Sequence, residues 1–404
     1  MPVSPLAMAN AIRALSMDAV HRARSGHQGM ALGMADVATA LWTKYLKYDA
    51  ADPYWPDRDR FVLSAGHGSM LLYALLHLSG FKAMTPREIE NFRQWGSLTP
   101  GHPEYGHTPG VETTTGPLGQ GLATAVGMAM AERALAARYG ADLVDHRTWV
   151  VAGDGCLMEG VSHEAISLAG HLKLHKLTVL FDDNDTTIDG RARLAETGDQ
   201  LARFKAAGWA VKAVDGHDTA RIDRALRWAR KQDKPTMIAC KTVINRGAGL
   251  MEGSETGHGY SLFDKEIADA RVAMDWDPPP FMIPKDISAA WKRAGRRGRR
   301  QHGAWNKRLA SSTEADDFAR AIRGDLPAGV FDALDEHIGR MARERPAAAT
   351  RVHSGAALAA LVPGAPELIS GSADLTGSNN TLVKGMTAFE PPDYAGRYVH
   401  YGVR

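Results

Sequence analysis

The run Val150-Val-Ala leads into Gly153-Asp154-Gly155 and then, through Cys-Leu-Met, toward Glu159 and Gly160. Glycines on both sides of a lone aspartate let the backbone come close to a phosphate, and a following helix start offers unpaired N–H groups to an anion. The aspartate suits a hard cation, because Mg2+ prefers oxygen ligands in an octahedral shell shared with phosphate oxygens. One helix and one strand later comes Phe181-Asp-Asp-Asn184-Asp-Thr186-Thr-Ile188-Asp-Gly190. In a parallel sheet both strand ends emerge at the same edge, which brings Asp154 and Asn184 together. Alone, Gly-Asp-Gly reads as an ordinary strand-to-helix turn with a capping aspartate. Paired with Asn184 it reads as a cation and diphosphate site. A dinucleotide fingerprint needs Gly-x-Gly-x-x-Gly, and Gly160 falls at the wrong spacing after Gly153 and Gly155.

The chain holds 16 histidines, and a lone histidine is more often structural or exposed than catalytic. His27, His67, His102 and His258 stand apart because each lies in a glycine-bordered turn, where a side chain projects into a cleft without competing for packing. A neutral imidazole there can donate or accept a proton near pH 7. A zinc site using His102 and His107 is the rival, but no third or fourth ligand is evident nearby.

The elements that must position these residues follow from pattern. Strand-like runs at 148–152, 177–181, 209–214 and 236–244 alternate with helix-like runs at 34–45, 68–78, 119–138, 159–172 and 219–231. That alternation predicts an α/β fold, a doubly wound parallel sheet covered on both faces. After Trp276, Asp277 and three prolines stop any regular element, and 291–308 is crowded with Lys and Arg. The run Arg296, Arg297, Arg299, Arg300 reads as a solvated linker face rather than a nucleic-acid grip, since no aromatic pattern interleaves it. A second α/β unit starts near Arg345, with a helix at 355–361 and a strand at 367–370.

Global quantities narrow the class. A chain of 404 residues has room for roughly two to three domains. Its 48 basic and 46 acidic residues give a formal +2, so neither a nucleic-acid surface nor an acidic tail is written into the charge. Two cysteines, Cys156 and Cys240, cannot form a disulfide framework, which leads to the expectation of a reduced, cytoplasmic setting. No signal-peptide pattern opens the chain, and no apolar run approaches the roughly 18 residues of a membrane span.

Four further runs complete the picture: Ser25-Gly-His27-Gln-Gly29, Gly66-His67-Gly68-Ser-Met70, Thr99-Pro-Gly-His102-Pro-Glu104 and Glu112-Thr-Thr-Thr-Gly116-Pro117-Leu118-Gly-Gln-Gly121. In this order, with the Asp154 and Asn184 motif next, the sequence resembles transketolase across essentially its whole length. Deoxyxylulose phosphate synthase and phosphoketolase share the cation motif but are not expected to match 99–104, 112–121 and 400–404 so closely.

The resemblance implies a thiamine-diphosphate-binding fold, with a diphosphate-binding domain at 1–276, a linker at 277–344 and the start of a pyrimidine-binding domain at 345–404. It implies transfer of a two-carbon ketol unit from a ketose phosphate to an aldose phosphate, as in the pentose phosphate pathway. The cofactors would be thiamine diphosphate and Mg2+, with Ca2+ or Mn2+ as substitutes. Asp154, Asn184 and the Thr186 carbonyl would hold the metal. His67, Gly116, Pro117, Leu118, Gly155, Asn184, Ile188, His258 and Asp374 would contact the cofactor, with Leu118 and Ile188 holding it bent. His27, His102 and His258 would bind sugar hydroxyls or shuttle their protons, and Arg351 and Ser378 would hold a sugar phosphate. The expected partners are sugar phosphates and a second copy in a homodimer, or a second polypeptide; neither nucleic acid nor membrane is expected.

Two departures stand out. Gln28 occupies the place where the family usually has proline, and the stretch after Gly190 lacks the aromatic pair common in relatives. In transketolases the run His400-Tyr-Gly-Val-Arg404 is followed immediately by the glutamate that starts the chemistry. The resemblance therefore leads to the expectation of an N-terminal portion that by itself builds half a site.

Overall fold

The structure is a computed structural model and describes residues 3–404. Five strands form its main sheet: β1 (Arg60–Leu63), β2 (Thr148–Gly153), β3 (Leu177–Asp183), β6 (Ala210–Asp215) and β7 (Thr236–Lys241). A short hairpin, β4 (Thr186–Thr187) and β5 (Gly190–Arg191), leaves the end of β3. The sheet order is β1-β2-β3-β7-β6 and every neighbouring pair is parallel. Residues Thr148 to Ala152 of β2 and Leu177 to Asp182 of β3 are all buried, as strands covered on both faces must be.

The expected strands and helices are found with shifted ends. The last strand of the sheet stops at Lys241 instead of 244 because the Val243 amide is taken by His217 Nε2 at 3.0 Å. The helix expected over 34–45 is Ala35–Ala40 continued by a wider i→i+5 turn, Leu41–Tyr45. Helices Gln120–Tyr139, Gly160–His171 and Thr219–Ala229 match the periodicity. The last is capped by Asp218, whose carboxylate accepts the Ala220 and Arg221 amides.

Two elements are additions to the sequence reading. Helix Pro5–Ala23 begins at a Ser4 cap with proline at its first position, and every residue from Met8 to Val20 is buried. A helix buried all round shows no one-sided apolar stripe. Two of its charged residues are paired inward: Arg13 with Asp36 at 2.6 Å, and Asp18 with Arg271 at 2.6 Å. The second addition, β1, is too short to register as a run, yet it is fixed firmly. Asp59, 5% exposed, accepts the amides of Lys47 (3.0 Å) and Arg147 (2.9 Å) and the Trp149 indole N–H (3.1 Å), tying the starts of β1 and β2.

By contacts the chain divides into two compact units, one running up to Met130 and including His146–Gly303, the other Ala131–Asp145 with Ala304–Arg404. The stretch expected as a linker is largely helical: Lys285–Gly295, Arg299–Ser311, Ala315–Ile322 and Asp332–Glu344. The first of these belongs to the sheet-containing unit, where Trp291 is fully buried and donates to the Met8 carbonyl at 3.1 Å. Arg296, Arg299 and Arg300 are exposed. In the second unit, helix Thr350–Leu361 starts five residues before its expected position, and β8 (Ser370–Ser372) pairs in parallel with β9 (Tyr398–His400). The strand expected at 367–370 is displaced because Glu367 is held by Arg138 (2.9 Å) and Arg320 (2.5 Å).

Replacing Asp59 by alanine strands three donors, one in a buried bond and two in partly buried ones, so urea unfolding is expected to show a loss of about 3 kcal/mol. A loss indistinguishable from zero would contradict its role as the pin between β1 and β2.

Candidate cofactor and metal site

The site grows out of the adjacent ends of β2 and β3, where Gly153 stands in register with Asp182. Asp154 opens the helical turn Asp154–Met158, and its Oδ2 is buried with no hydrogen-bond partner. Asp182 is fully buried and accepts from Thr242 Oγ1 and from Asn184 Nδ2, the latter at 2.8 Å. Asn184 Oδ1 in turn accepts the Thr186 amide at 2.9 Å, which folds the chain into β4. One amide side chain therefore links the acidic strand end to the Thr186 backbone.

Burial, reinforced by Asp182, Asp183 and Asp185, pushes the Asp154 carboxyl up to about 7 against the pull of Lys241. Burial likewise pushes Asp182 up to about 7. The Lys241 ammonium is already paired with Asp183 at 3.1 Å. Negative charge thus outweighs positive charge where the sheet edge is driest, a condition that a bound cation relieves. The oxygens at hand are a carboxylate without a partner, an amide oxygen with a second lone pair and main-chain carbonyls. Among the described residues no group of three or more His, Cys, Asp or Glu side chains is placed to hold a metal; the oxygens of Asp154, Asn184 and the Thr186 main chain are hard donors.

These residues line a cavity of about 320 Å3. Of the residues singled out by sequence, it brings together His27, His67, His102, His258, Gly116, Leu118, Gly155, Asp154, Asn184, Thr186 and Ile188. Pro117, between two lining residues, is itself exposed. The turns carrying His67 and Gly116 are back to back: a Cβ on Gly66 would lie 2.8 Å from the Gly116 amide nitrogen. Ile188 is 74% exposed, an apolar side chain at the cavity's rim.

Three histidines form one cluster. Ring centroids are 5.2 Å apart for His27 and His67, 5.4 Å for His27 and His258, and 4.8 Å for His67 and His258. Burial, with help from the neighbouring imidazoles, pushes His27 down to about 4 and His67 down to about 3. Burial also lowers His102 and His258. Each ring is therefore neutral near pH 7 and offers one donor and one acceptor nitrogen. His107 stands outside the cavity, with Nε2 2.8 Å from the Ser97 carbonyl.

Sequence reasoning missed Arg93. Its guanidinium reaches Ser25 Oγ at 3.0 Å and His27 Nδ1 at 3.4 Å, from a residue with φ of 61°. Nothing in its sequence neighbourhood signals that conformation. Met30, Ala65, Cys156, Asp182, Thr187 and Ile244 also line the cavity; of these, Asp182 and Thr187 sit inside the Asn184 run and Cys156 inside the Asp154 run.

Arg351, Ser378 and Asp374 lie in the second compact unit, and all three are exposed. Arg351 is in the first turn of its helix, and its carbonyl accepts from Asn380 Nδ2 at 3.3 Å. Ser378 lies in the turn Thr376–Asn379, and Asp374 has a left-handed φ of 63°.

Residues 5–327 match the protein family described as "Transketolase, thiamine diphosphate binding domain". The transketolase of Sinorhizobium medicae (strain WSM419) is 53% identical over 397 residues, covering 98% of this chain and 57% of that protein. A solved transketolase from Leishmania mexicana superposes with a TM-score of 0.93 at 41% identity, covering 100% of this chain and 61% of that one. A Pichia stipitis transketolase solved in complex with sedoheptulose-7-phosphate gives 0.92 at 39% identity, covering 99% and 61%. The chain thus spans about 60% of the length of these relatives. The parallel sheet, the paired Asp154 and Asn184 turns and these matches agree, and the chain belongs to the transketolase family through its thiamine-diphosphate-binding domain.

Proposed function

We propose that this chain supplies the diphosphate-binding half of a transketolase, whose reaction moves a two-carbon ketol unit from a ketose phosphate to an aldose phosphate. One observation carries the reading: a buried Asp154 carboxylate without a partner, facing the same cavity as Asn184, Thr186 and four neutral histidines. Mg2+, or Ca2+ or Mn2+ in its place, would be held by Asp154, Asn184 and the Thr186 carbonyl. Thiamine diphosphate, when bound, supplies a carbon acid able to store the electron pair released from the ketose.

The chain's own residues do the rest. Gly155 lets the backbone approach the diphosphate at the start of a helical turn, and Gly116, Pro117, Leu118 and Ile188 shape the contact with the rings. His67 and His258 would lie beside the cofactor. His27, His102 and His258, kept neutral by burial, bind sugar hydroxyls and pass protons. In the second unit, Asp374 serves the cofactor of a partner copy, while Arg351 and Ser378 hold the substrate phosphate, an arginine fork beside a hydroxyl being a good oxyanion clamp. Support for sugar phosphates comes from the Pichia stipitis complex. The partition into a diphosphate domain at 1–276, a linker and a pyrimidine domain from 345, the homodimer, the cytoplasmic location and a place in the pentose phosphate pathway belong to the same proposal. Since the relatives extend well past the matched part, the full reaction is proposed for this chain together with the remaining portion, in the same or a separate polypeptide. No helix among the described residues is long and apolar enough to cross a membrane.

Titration calorimetry of the chain with thiamine diphosphate is expected to show binding that depends on Mg2+. Asp154→Ala should weaken it at least about tenfold, or 1.4 kcal/mol. Unchanged Mg2+-dependent binding in that variant would remove Asp154 from the metal site.

A second outcome follows from protonation. The Asp154 carboxyl titrates higher in the folded chain than in the unfolded one, so the folded state holds an extra proton between about pH 4 and about pH 7. Its contribution to stability is complete below that window and is lost as pH rises through about 7. In chelator, the melting temperature should fall over this range more steeply for the native chain than for Asp154→Asn, and Mg2+ with thiamine diphosphate should offset the fall at the alkaline end. Parallel pH profiles for the two proteins would count against the buried carboxylate.

A further inference from the structure

The residue after His27 turns away from the cavity. Gln28 is 1% exposed, and its carbonyl accepts the Leu32 amide at 2.9 Å, anchoring it to the short helix Gly29–Gly33. Its side-chain Nε2 donates to Ser261 Oγ at 3.0 Å and lies 3.5 Å from Asn245 Oδ1. The same three segments also meet through their backbones. The Asn245 amide donates to the Gly29 carbonyl at 3.1 Å, and a Cβ on Gly29 would fall 2.2 Å from the Gly257 carbonyl oxygen.

The segment carrying His258 is held in part by its own short turns, the Gly257 amide donating to the Ser254 carbonyl at 2.9 Å, and by an ion pair between Arg191 and Glu255 at 2.8 Å. Between β7 and the helix Asp264–Ala273 its helical turns are Gly249–Met251 and Glu255–His258. On its outer side Tyr260 Oη sits 3.4 Å from His21 Nδ1, and the exposed Asp264 carboxylate lies 3.0 Å from His21 Nε2. Exposed contacts of this kind hold a loop weakly. The Gln28 amide is the tie on the inner side: it is buried and its Nε2 is the group that reaches Ser261, while its Oε1 has no hydrogen-bond partner.

We infer that Gln28 is a positioning residue: its buried amide clamps the 255–261 turn against the 25–29 turn and thereby sets the spacing of His258 from His27 and His67. The helix behind Gln28 fixes the His27 side, so the His258 turn is the part that moves when the clamp is lost. The functional meaning of that spacing rests on the roles proposed above for the histidines; the clamp itself is a property of the polypeptide alone.

The test uses the whole 404-residue chain, free of cofactor and substrate, with histidine ring protons observed by NMR in a deuterated background. The native chain should show cross-peaks among all three rings. In Gln28→Ala, and separately in Ser261→Ala, both cross-peaks to His258 should weaken severalfold, while the one between His27 and His67 persists. The double variant should resemble Gln28→Ala, which already removes the bond to Ser261. Ser261 is partly exposed, so its variant keeps the test open should Gln28→Ala fail to fold. Undiminished His258 cross-peaks in Ser261→Ala, or equal weakening of all three pairs, would overturn the clamp. Neither result depends on cofactor binding, so failure of the metal-site reading would be seen separately, by calorimetry.

Discussion

Placing β2 directly beside β3 in a parallel sheet forces two acidic strand ends into one dry corner. Everything else in the site follows from that. Asp154, Asp182, Asp183 and Asp185 repel one another there, and Lys241 answers only part of the charge. Left alone, two of these carboxyls are driven toward neutrality. A divalent cation would resolve the repulsion without protonation, and on the proposed reading a diphosphate would share its oxygen shell. The unfavourable charge is the feature that makes the corner a candidate binding site, since perturbed carboxyls gather where function needs them.

Across the same cavity the electrostatic logic is reversed. The histidines are buried near one another and near Arg93, so protonating any of them adds positive charge where it is poorly solvated. They stay neutral and bifunctional, as proton handling at neutral pH requires. One wall therefore attracts a cation while the other rejects positive charge. That division would suit a ligand with an anionic, metal-bound end and a polar, uncharged reacting end.

The two walls were unequally legible in the sequence. Asp154 and Asn184 could be placed because each follows a strand with clear bounds, and parallel pairing fixes where such ends emerge. The four histidines could be picked out by their glycine neighbours, since such turns project side chains into clefts. Arg93 could not, because its approach to His27 depends on a left-handed backbone that no local residue pattern demands. Helix Pro5–Ala23 had a readable Ser-Pro start but no amphipathic stripe, being enclosed on all sides. The helices between 285 and 344 were hidden by their many charges, which obscure the few anchors, such as Trp291 and Trp305, that bury. Gln28 was visible as a departure, but its role depends on Asn245 and Ser261, far away in sequence.

The most direct test of the charge argument is diffraction from crystals of the chain grown with thiamine diphosphate and Mn2+, recorded at the manganese absorption edge. A single anomalous peak within coordination distance of Asp154 and Asn184 side-chain oxygens, and of the Thr186 carbonyl, is the predicted result. A peak bound instead to Asp183 or Asp185, with Asp154 unliganded, would contradict the account.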